Sequence, residues 1–273
     1  MAKDIIEDDE GPDVRWNRTT RALKRVEWQL EVRNFQGHGQ VPFFKGRHVI
    51  GRDRRIVGGV YLGTYAREAI VVSERDGILL RRYQELRGRI RRLPWKSSEL
   101  SIVEVVHGYV RELLPGGEAK TNAIIRASVS AGNDDQKIDL TVFIIGSAGV
   151  CRHRALLGAY FLEKLIDDRA LVGSCSVDRN EMDEGGHAWA RFVSKKTNLI
   201  LISDAGLNEC GDIFEISQHW AYLRPGDVRP IPSKKVLGHE KAISLPLIDD
   251  IDRTVGAAAL LWALWHYGLS RLL

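Results

Sequence analysis

The feature that most constrains this chain is a turn of small residues that leads into a helical pattern and is followed by two short strand patterns. Residues 146–150 form the turn, and after Cys151 the apolar residues recur at helical intervals as far as Ile166. Residues 185–193 open with a glycine turn and then alternate, while residues 199–203 are apolar and β-branched. These patterns predict a helix that begins at Cys151 and an antiparallel hairpin that follows it.

Three chemically active residues occupy special positions in these elements. Cys151 stands at the predicted N-terminus of the helix, where unpaired backbone N–H groups and the helix dipole favour the nucleophilic thiolate. His187 opens the alternating strand after the glycine turn, and Asp204 ends the next strand. Pairing of the two strands would bring the Asp204 carboxylate opposite the His187 imidazole, as the orienting member of a catalytic triad requires.

The order and setting of these residues resemble a known family. The stretches that carry the resemblance are GVCRHRALL around Cys151, GGHAWARF around His187 and LISDAG around Asp204. A cysteine at the start of a helix, a G-H-A-W strand and an aspartate at the end of the next strand resemble the transglutaminase-like superfamily, a circularly rearranged relative of the papain fold. The resemblance covers about residues 97–210.

The resemblance implies an α+β fold in which the Cys151 helix packs against an antiparallel sheet that bears His187 and Asp204. It also implies cysteine-dependent acyl transfer or hydrolysis at an amide or ester carbonyl of a protein or peptide, without a cofactor or a metal. Cys151 would attack, His187 would move the proton and Asp204 would orient the imidazole. The backbone N–H of Cys151 is expected to be one oxyanion donor, and the Gln136 side chain is a candidate for the second.

Two other interpretations of the same residues stay open. The fold can serve as a non-catalytic protein-interaction module, for which the basic segment 81–96 is a candidate surface. Alternatively, zinc could use cysteine and histidine ligands, and the candidate set is Cys151, His153, His187 and Cys210. A C-x-H spacing at a helix start points its two side chains about 200° apart, so the triad is favoured over the zinc site.

Other segments give structural predictions. Residues 97–114 have a serine cap and helical spacing that ends at a Pro-Gly-Gly stop, which predicts a helix. The apolar run 138–145 predicts a buried strand, and the glycine-rich stretch 40–72 predicts short strands joined by tight turns. His107, on the predicted helix, and the aromatic segment around His219 and Trp220 are interpreted as packed structural residues.

These predictions divide the chain into three regions. Residues 1–96 form a β-rich and basic N-terminal region, residues 97–245 the transglutaminase-like catalytic domain, and residues 246–273 a C-terminal helix. The apolar run in that last helix covers only residues 255–268, which is too short for ~30 Å of hydrocarbon at ~1.5 Å per residue. A buried helix is therefore preferred to a membrane anchor.

Composition gives the expected location and partners. The formal charge of +4 and the pI near 9.0 are a modest basic excess that requires neither a nucleic acid nor a membrane as partner. Three cysteines without a C-x-x-C pair argue against a disulfide framework, and the acidic N-terminus has no apolar signal segment. We therefore expect a cytoplasmic protein that acts on a protein or peptide substrate, and not on nucleic acid or a membrane.

Overall fold

The computed structural model describes residues 16–229 except residues 17, 36–38, 66, 96, 130–134 and 217–219. By its internal contacts the chain divides into residues 1–237 and residues 238–273, and all described residues belong to the first unit. The predicted C-terminal helix, residues 246–273, and the last part of the predicted catalytic domain, residues 97–245, lie outside the described residues.

Helices and strands are interleaved along the described part of the chain. The helices are α1 (Arg18–Arg25), α2 (Ile78–Ile90), α3 (Glu99–Leu113), α4 (Glu118–Ser128), α5 (Leu140–Ile145) and α6 (Cys151–Asp167). The strands are β1 (Leu30–Phe35), β2 (Gly39–Phe44), β3 (Arg47–His48), β4 (Val60–Tyr61), β5 (Ala69–Val71), β6 (Lys137–Asp139), β7 (Gly173–Met182), β8 (Gly185–Ser194), β9 (Ile200–Asp204) and β10 (Glu209–Asp212).

The largest sheet is antiparallel and has four strands in the order β10-β9-β8-β7. Strands β7 and β8 pair over their whole length, from Gly173 with Ser194 to Met182 with Gly185. Two three-stranded sheets, β1-β2-β3 and β4-β5-β6, lie earlier in the chain, and only the β5–β6 pair among these is parallel. Helices beside sheets that are mainly antiparallel confirm the predicted α+β class.

Helix α6 lies at the centre of the main hydrophobic core. Its side chains Leu156, Leu157, Tyr160 and Phe161 are fully buried, and each such burial contributes about 1.5–3 kcal/mol. At Gly158 the helix comes close to β8, because a Cβ there would lie 3.2 Å from the Ala190 side chain. This packing holds the first residue of α6 at a fixed position beside the sheet.

Helix α3 confirms the helix predicted for residues 97–114. The Ser98 hydroxyl accepts a hydrogen bond from the Ser101 backbone N–H at 3.1 Å, which caps the helix at its start. Val103, Val106 and Val110 are fully buried on the face that packs into the core. The helix ends immediately before the Pro-Gly-Gly segment, as the sequence predicts.

The prediction of a strand at residues 138–145 is wrong for most of that segment. Only Lys137–Asp139 is strand, and Leu140–Ile145 is the short helix α5. The Asp139 carboxylate accepts from the Thr141 backbone N–H at 3.2 Å and so caps a helix inside the apolar run. Leu140, Phe143 and Ile144 are then buried together while Ile145 is 69% exposed, a helical burial pattern.

The first third of the chain contains the short strands predicted for residues 40–72. Strand β5 of this region pairs with β6, which lies after residue 97. Side chains from both sides of residue 97 pack in one hydrophobic core. The Glu163 carboxylate on α6 accepts from the backbone N–H groups of Ile56 at 2.7 Å and Val57 at 2.9 Å. The predicted boundary between residues 96 and 97 stays a prediction. The strand pair and these hydrogen bonds connect residues on its two sides.

Most of the basic segment 81–96 lies on α2. Arg82 pairs with Glu85 at 2.9 Å, and Arg89 forms two hydrogen bonds to the Glu112 carboxylate at 2.6 and 2.7 Å. Part of its positive charge is therefore neutralised within the protein. Among the described residues, every helix is too short or too polar to span a membrane.

Candidate active site

Three secondary-structure elements bring Cys151, His187 and Asp204 together. Cys151 is the first residue of α6, His187 lies near the start of β8, and Asp204 ends β9. Strands β8 and β9 pair antiparallel with Ala190 opposite Ser203, so the register places Asp204 next to Trp189. His187 and Asp204 consequently meet diagonally on one face of the sheet, two residues away from the direct pairing that the sequence suggested.

The carboxylate of Asp204 is fully buried and holds the His187 ring. Its Oδ2 atom lies 2.5 Å from His187 Nε2 and also accepts from the Tyr222 hydroxyl at 2.8 Å. Its Oδ1 atom accepts from the backbone N–H groups of Gly206 at 2.9 Å and Leu207 at 3.1 Å. Four donors compensate the loss of water around this carboxylate and fix its orientation toward the imidazole.

The Cys151 thiol and the His187 imidazole shift each other's protonation. Burial favours the neutral thiol, but the hydrogen bond and charge of His187, with smaller contributions from Arg152 and the Ala188 backbone N–H, lower the pKa of Cys151. Burial also disfavours the imidazolium, but hydrogen bonds to Asp204 and Cys151 raise the pKa of His187 to about 9. These opposite shifts favour a thiolate–imidazolium pair near neutral pH, with Nδ1 as the ring nitrogen left for the thiol.

An aromatic residue that the sequence interpretation placed in a packed segment contacts the imidazole. The Trp220 and His187 ring centroids are 5.0 Å apart. The Trp220 indole N–H donates to the Asn180 side-chain oxygen, and the Asn180 amide donates to the Ala221 carbonyl oxygen at 2.6 Å. Asn180 is fully buried on β7, while His219 lies outside the described residues.

A buried ion-pair network attaches the segment that contains Trp220 and Tyr222 to the sheet. Arg224 donates to the fully buried Asp178 carboxylate at 2.5 and 2.8 Å, and the charge of Arg224 outweighs burial and lowers the pKa of Asp178. Arg191 on β8 forms two hydrogen bonds to the Asp227 carboxylate at 2.6 and 2.9 Å. Sequence analysis missed the roles of Asn180, Tyr222 and Arg224, because their partners are distant along the chain.

Gly206 lies in close contact with the three candidate residues. A Cβ atom at Gly206 would lie 3.0 Å from His187 Cε1, 3.1 Å from Asp204 Oδ1 and 3.5 Å from the Cys151 Cβ. The first two distances are tighter than ordinary contacts to a side-chain carbon. The absence of a side chain at Gly206 lets the β9–β10 turn approach the thiol and the imidazole together.

The other thiols differ from Cys151 in electrostatic environment. Burial raises the pKa of Cys175 well above its ordinary value and raises the pKa of Cys210 to about 12. Cys175 lies on β7, and its thiol donates to the Ala159 carbonyl oxygen at 3.6 Å. Of the three cysteines, therefore, Cys151 has the environment of a nucleophile.

The residues of the alternative zinc set have other surroundings. His153 is fully buried, its ring centroid lies 4.0 Å from that of Phe143, and its Nδ1 atom accepts from the Val150 backbone N–H at 3.3 Å. Burial keeps the pKa of His153 well below its ordinary value. Within the described ranges, the structure contains no group of three or more His, Cys, Asp or Glu side chains arranged to hold a metal ion.

His107 and Gln136 both have hydrogen-bond partners within the fold. His107 contacts the Ser203 hydroxyl and the Asn208 side-chain oxygen, both at 3.3 Å, and so joins α3 to the sheet. The Gln136 side-chain amide, a candidate for the second oxyanion donor, donates to the Ser128 carbonyl oxygen at 3.0 Å.

In comparisons with known proteins, no family model, no curated protein and no solved structure matches the chain. The chemistry of the site must therefore be inferred from its own residues. A thiol with a lowered pKa, an imidazole with a raised pKa and a buried carboxylate form an arrangement suited to nucleophilic attack and proton transfer.

Proposed function

We propose that this protein is a transglutaminase-like cysteine hydrolase or acyltransferase that acts on an amide or ester carbonyl of a protein or peptide. Helix α6 and the sheet β10-β9-β8-β7 would be its transglutaminase-like core. The observation that carries the proposal is the contact of His187 Nε2 with the buried Asp204 carboxylate, together with a Cys151 thiol whose pKa the same imidazole lowers. The proposal is further supported because residues from three separate sequence motifs, on α6, β8 and β9, lie next to one another as in a catalytic triad.

The first half of the reaction follows from the protonation states of the pair. The Cys151 thiolate forms a bond to the carbonyl carbon, and the π electrons of the carbonyl move onto its oxygen. The Cys151 backbone N–H, at the start of α6, is a candidate donor to that oxyanion. The His187 imidazolium then gives its proton to the leaving amine or alcohol as the bond to it breaks, leaving a thioester on Cys151.

The second half restores the enzyme. The neutral His187 imidazole takes a proton from water or from an amine, and that nucleophile attacks the thioester carbonyl. The bond to sulfur then breaks and returns the thiolate of Cys151, with the proton on His187. Asp204 keeps the ring oriented through Nε2, so that the other nitrogen faces the sulfur throughout.

Selective alkylation tests the proposed nucleophile without a known substrate. Iodoacetamide at neutral pH should modify Cys151 much faster than Cys175 and Cys210, because only the Cys151 pKa is lowered. Mass spectrometry of digested protein gives the three rate constants. His187→Ala should slow the reaction at Cys151 selectively. Equal rates at all three cysteines in the folded protein would favour a non-catalytic interaction module.

Product analysis separates the two reaction types. Incubation of a glutamine-rich protein with the enzyme and a fluorescent primary amine should label the protein if an amine resolves the thioester. Release of ammonia or peptide fragments without labelling would instead indicate hydrolysis. Cys151→Ala, which removes a small thiol and little packing, is the matched inactive control.

A further inference from the structure

A cavity of about 370 Å³ opens beside the triad. It is lined by Arg111, Glu112, Pro115, Arg154, Ala205, Gly206 and Asn208. Gly206 connects it to the reacting groups, since a Cβ atom there would contact both His187 and Cys151. The volume is at the lower end of the range of small-ligand sites, which runs from roughly 300 to 1,000 Å³, and is sufficient for one side chain of a peptide.

Two guanidinium groups give this cavity a positive charge. Arg154 lies one turn after Cys151 on α6, and its side chain donates to four backbone carbonyl oxygens, including Leu114 at 3.0 Å and Ala205 at 3.2 Å. Arg111 donates to the side-chain oxygen of Asn208. The acceptors of these hydrogen bonds are neutral, so the bonds hold each guanidinium in place without neutralising it. The charges of Cys151 and Asp204 act on Arg154 but do not outweigh burial and the charge of Arg111.

The carboxylate in the lining is already engaged. Glu112 binds Arg89 through both oxygens, at 2.6 and 2.7 Å, and Arg89 is not part of the cavity wall. Arg111 and Arg154 are also close enough to repel each other, and burial together with the charge of Arg111 lowers the pKa of Arg154. An anionic group in the cavity would relieve this repulsion and receive charge-assisted hydrogen bonds.

We propose that the cavity between Arg111 and Arg154 binds a carboxylate of the acyl substrate, beside the carbonyl that Cys151 attacks. The inference rests on the proposed function and makes it more specific: the preferred substrate carries an acidic side chain or a free carboxylate next to the reacting bond. Arg111, which donates to Asn208 through one nitrogen, suits this role because a planar guanidinium can pair with both oxygens of a carboxylate. Arg154, whose nitrogens donate to four carbonyl oxygens, contributes mainly its positive charge.

Two alkylating agents that differ in one charged group provide the test. Iodoacetate and iodoacetamide both form a bond between sulfur and their CH2 carbon with loss of iodide, but only iodoacetate carries a carboxylate. The measured quantity is the ratio of the two rate constants at Cys151, at a pH where iodoacetate is ionised. Any change in the Cys151 pKa affects both reagents and cancels in the ratio.

The iodoacetate-to-iodoacetamide ratio should fall about fivefold or more in Arg111→Gln, as loss of a charge-assisted hydrogen bond implies. It should fall further in Arg111→Glu. Arg111 is exposed, so both variants should fold, and thermal unfolding should give transitions close to that of the wild type. Arg33→Gln is the matched control, because Arg33 is an exposed arginine whose contacts are Glu31 and Phe43; its ratio should equal that of the wild type.

The outcomes distinguish this inference from the proposed function. If Cys151 reacts with iodoacetamide but its ratio is unchanged in the Arg111 variants, the carboxylate site is wrong while the nucleophile stands. A ratio that falls equally in Arg33→Gln reflects overall charge and also overturns the site. If Cys151 reacts with neither reagent faster than Cys175, the proposed nucleophile itself is wrong.

Discussion

At the scale of single residues, the account depends most on Asp204, whose carboxylate oxygen holds His187 Nε2. Asp204→Asn should preserve the shape but favour the wrong imidazole tautomer, and the expected loss in turnover is up to ~10⁴-fold, as in other triads. Asp212→Asn is the matched control, since Asp212 accepts from the Phe214 backbone N–H and has no contact with His187. A turnover assay in which the two variants are equally active would exclude Asp204 from the triad.

At the scale of elements, the segment that carries Trp220 and Tyr222 is attached through Arg224 and the buried Asp178. Arg224→Gln should destabilise the protein by about 3 kcal/mol, because it leaves the buried Asp178 carboxylate with only the Ser176 hydroxyl and a more distant Arg191. It should also slow Cys151 alkylation, since the contact of Trp220 with His187 and the hydrogen bond of Tyr222 to Asp204 become less well fixed. Arg229→Gln, in the exposed pair with Glu215, should change stability by less than about 0.5 kcal/mol in the same chemical denaturation experiment. A similar small effect of Arg224→Gln would contradict the role of this ion pair.

Local patterns predicted the elements whose signals lie within one segment. Helix α3 has its own cap and stop, and the start of α6 follows from the small-residue turn and helical spacing. The strand predicted for residues 138–145 was wrong because the β-branched residues of this segment favour a strand by themselves. In the folded protein the Asp139 cap and the packing of Phe143 against His153 favour a helix. Asn180 and Tyr222 gave no local signal, because their roles arise only when distant strands meet.

At the scale of the whole molecule, the N-terminal region and the candidate site share one core. A fragment of residues 97–245 would lose the partner strand of β6 and expose the core side chains that Ile50, Ile70 and Tyr83 now cover. We expect this fragment to show no cooperative thermal transition. A cooperative transition in circular dichroism, together with wild-type alkylation of Cys151, would show instead that residues 97–245 are an independent domain.

The pH profile of Cys151 alkylation reports whether Cys151 and His187 form a thiolate–imidazolium pair. His187 lowers the Cys151 pKa, and the His187 pKa is raised to about 9, so the reactive pair should form below the ordinary thiol pKa and persist up to about pH 9. The rate in the wild type should therefore rise at a lower pH than for an ordinary thiol. In His187→Ala the rise should move to higher pH. Identical profiles for the wild type and this variant would contradict the account.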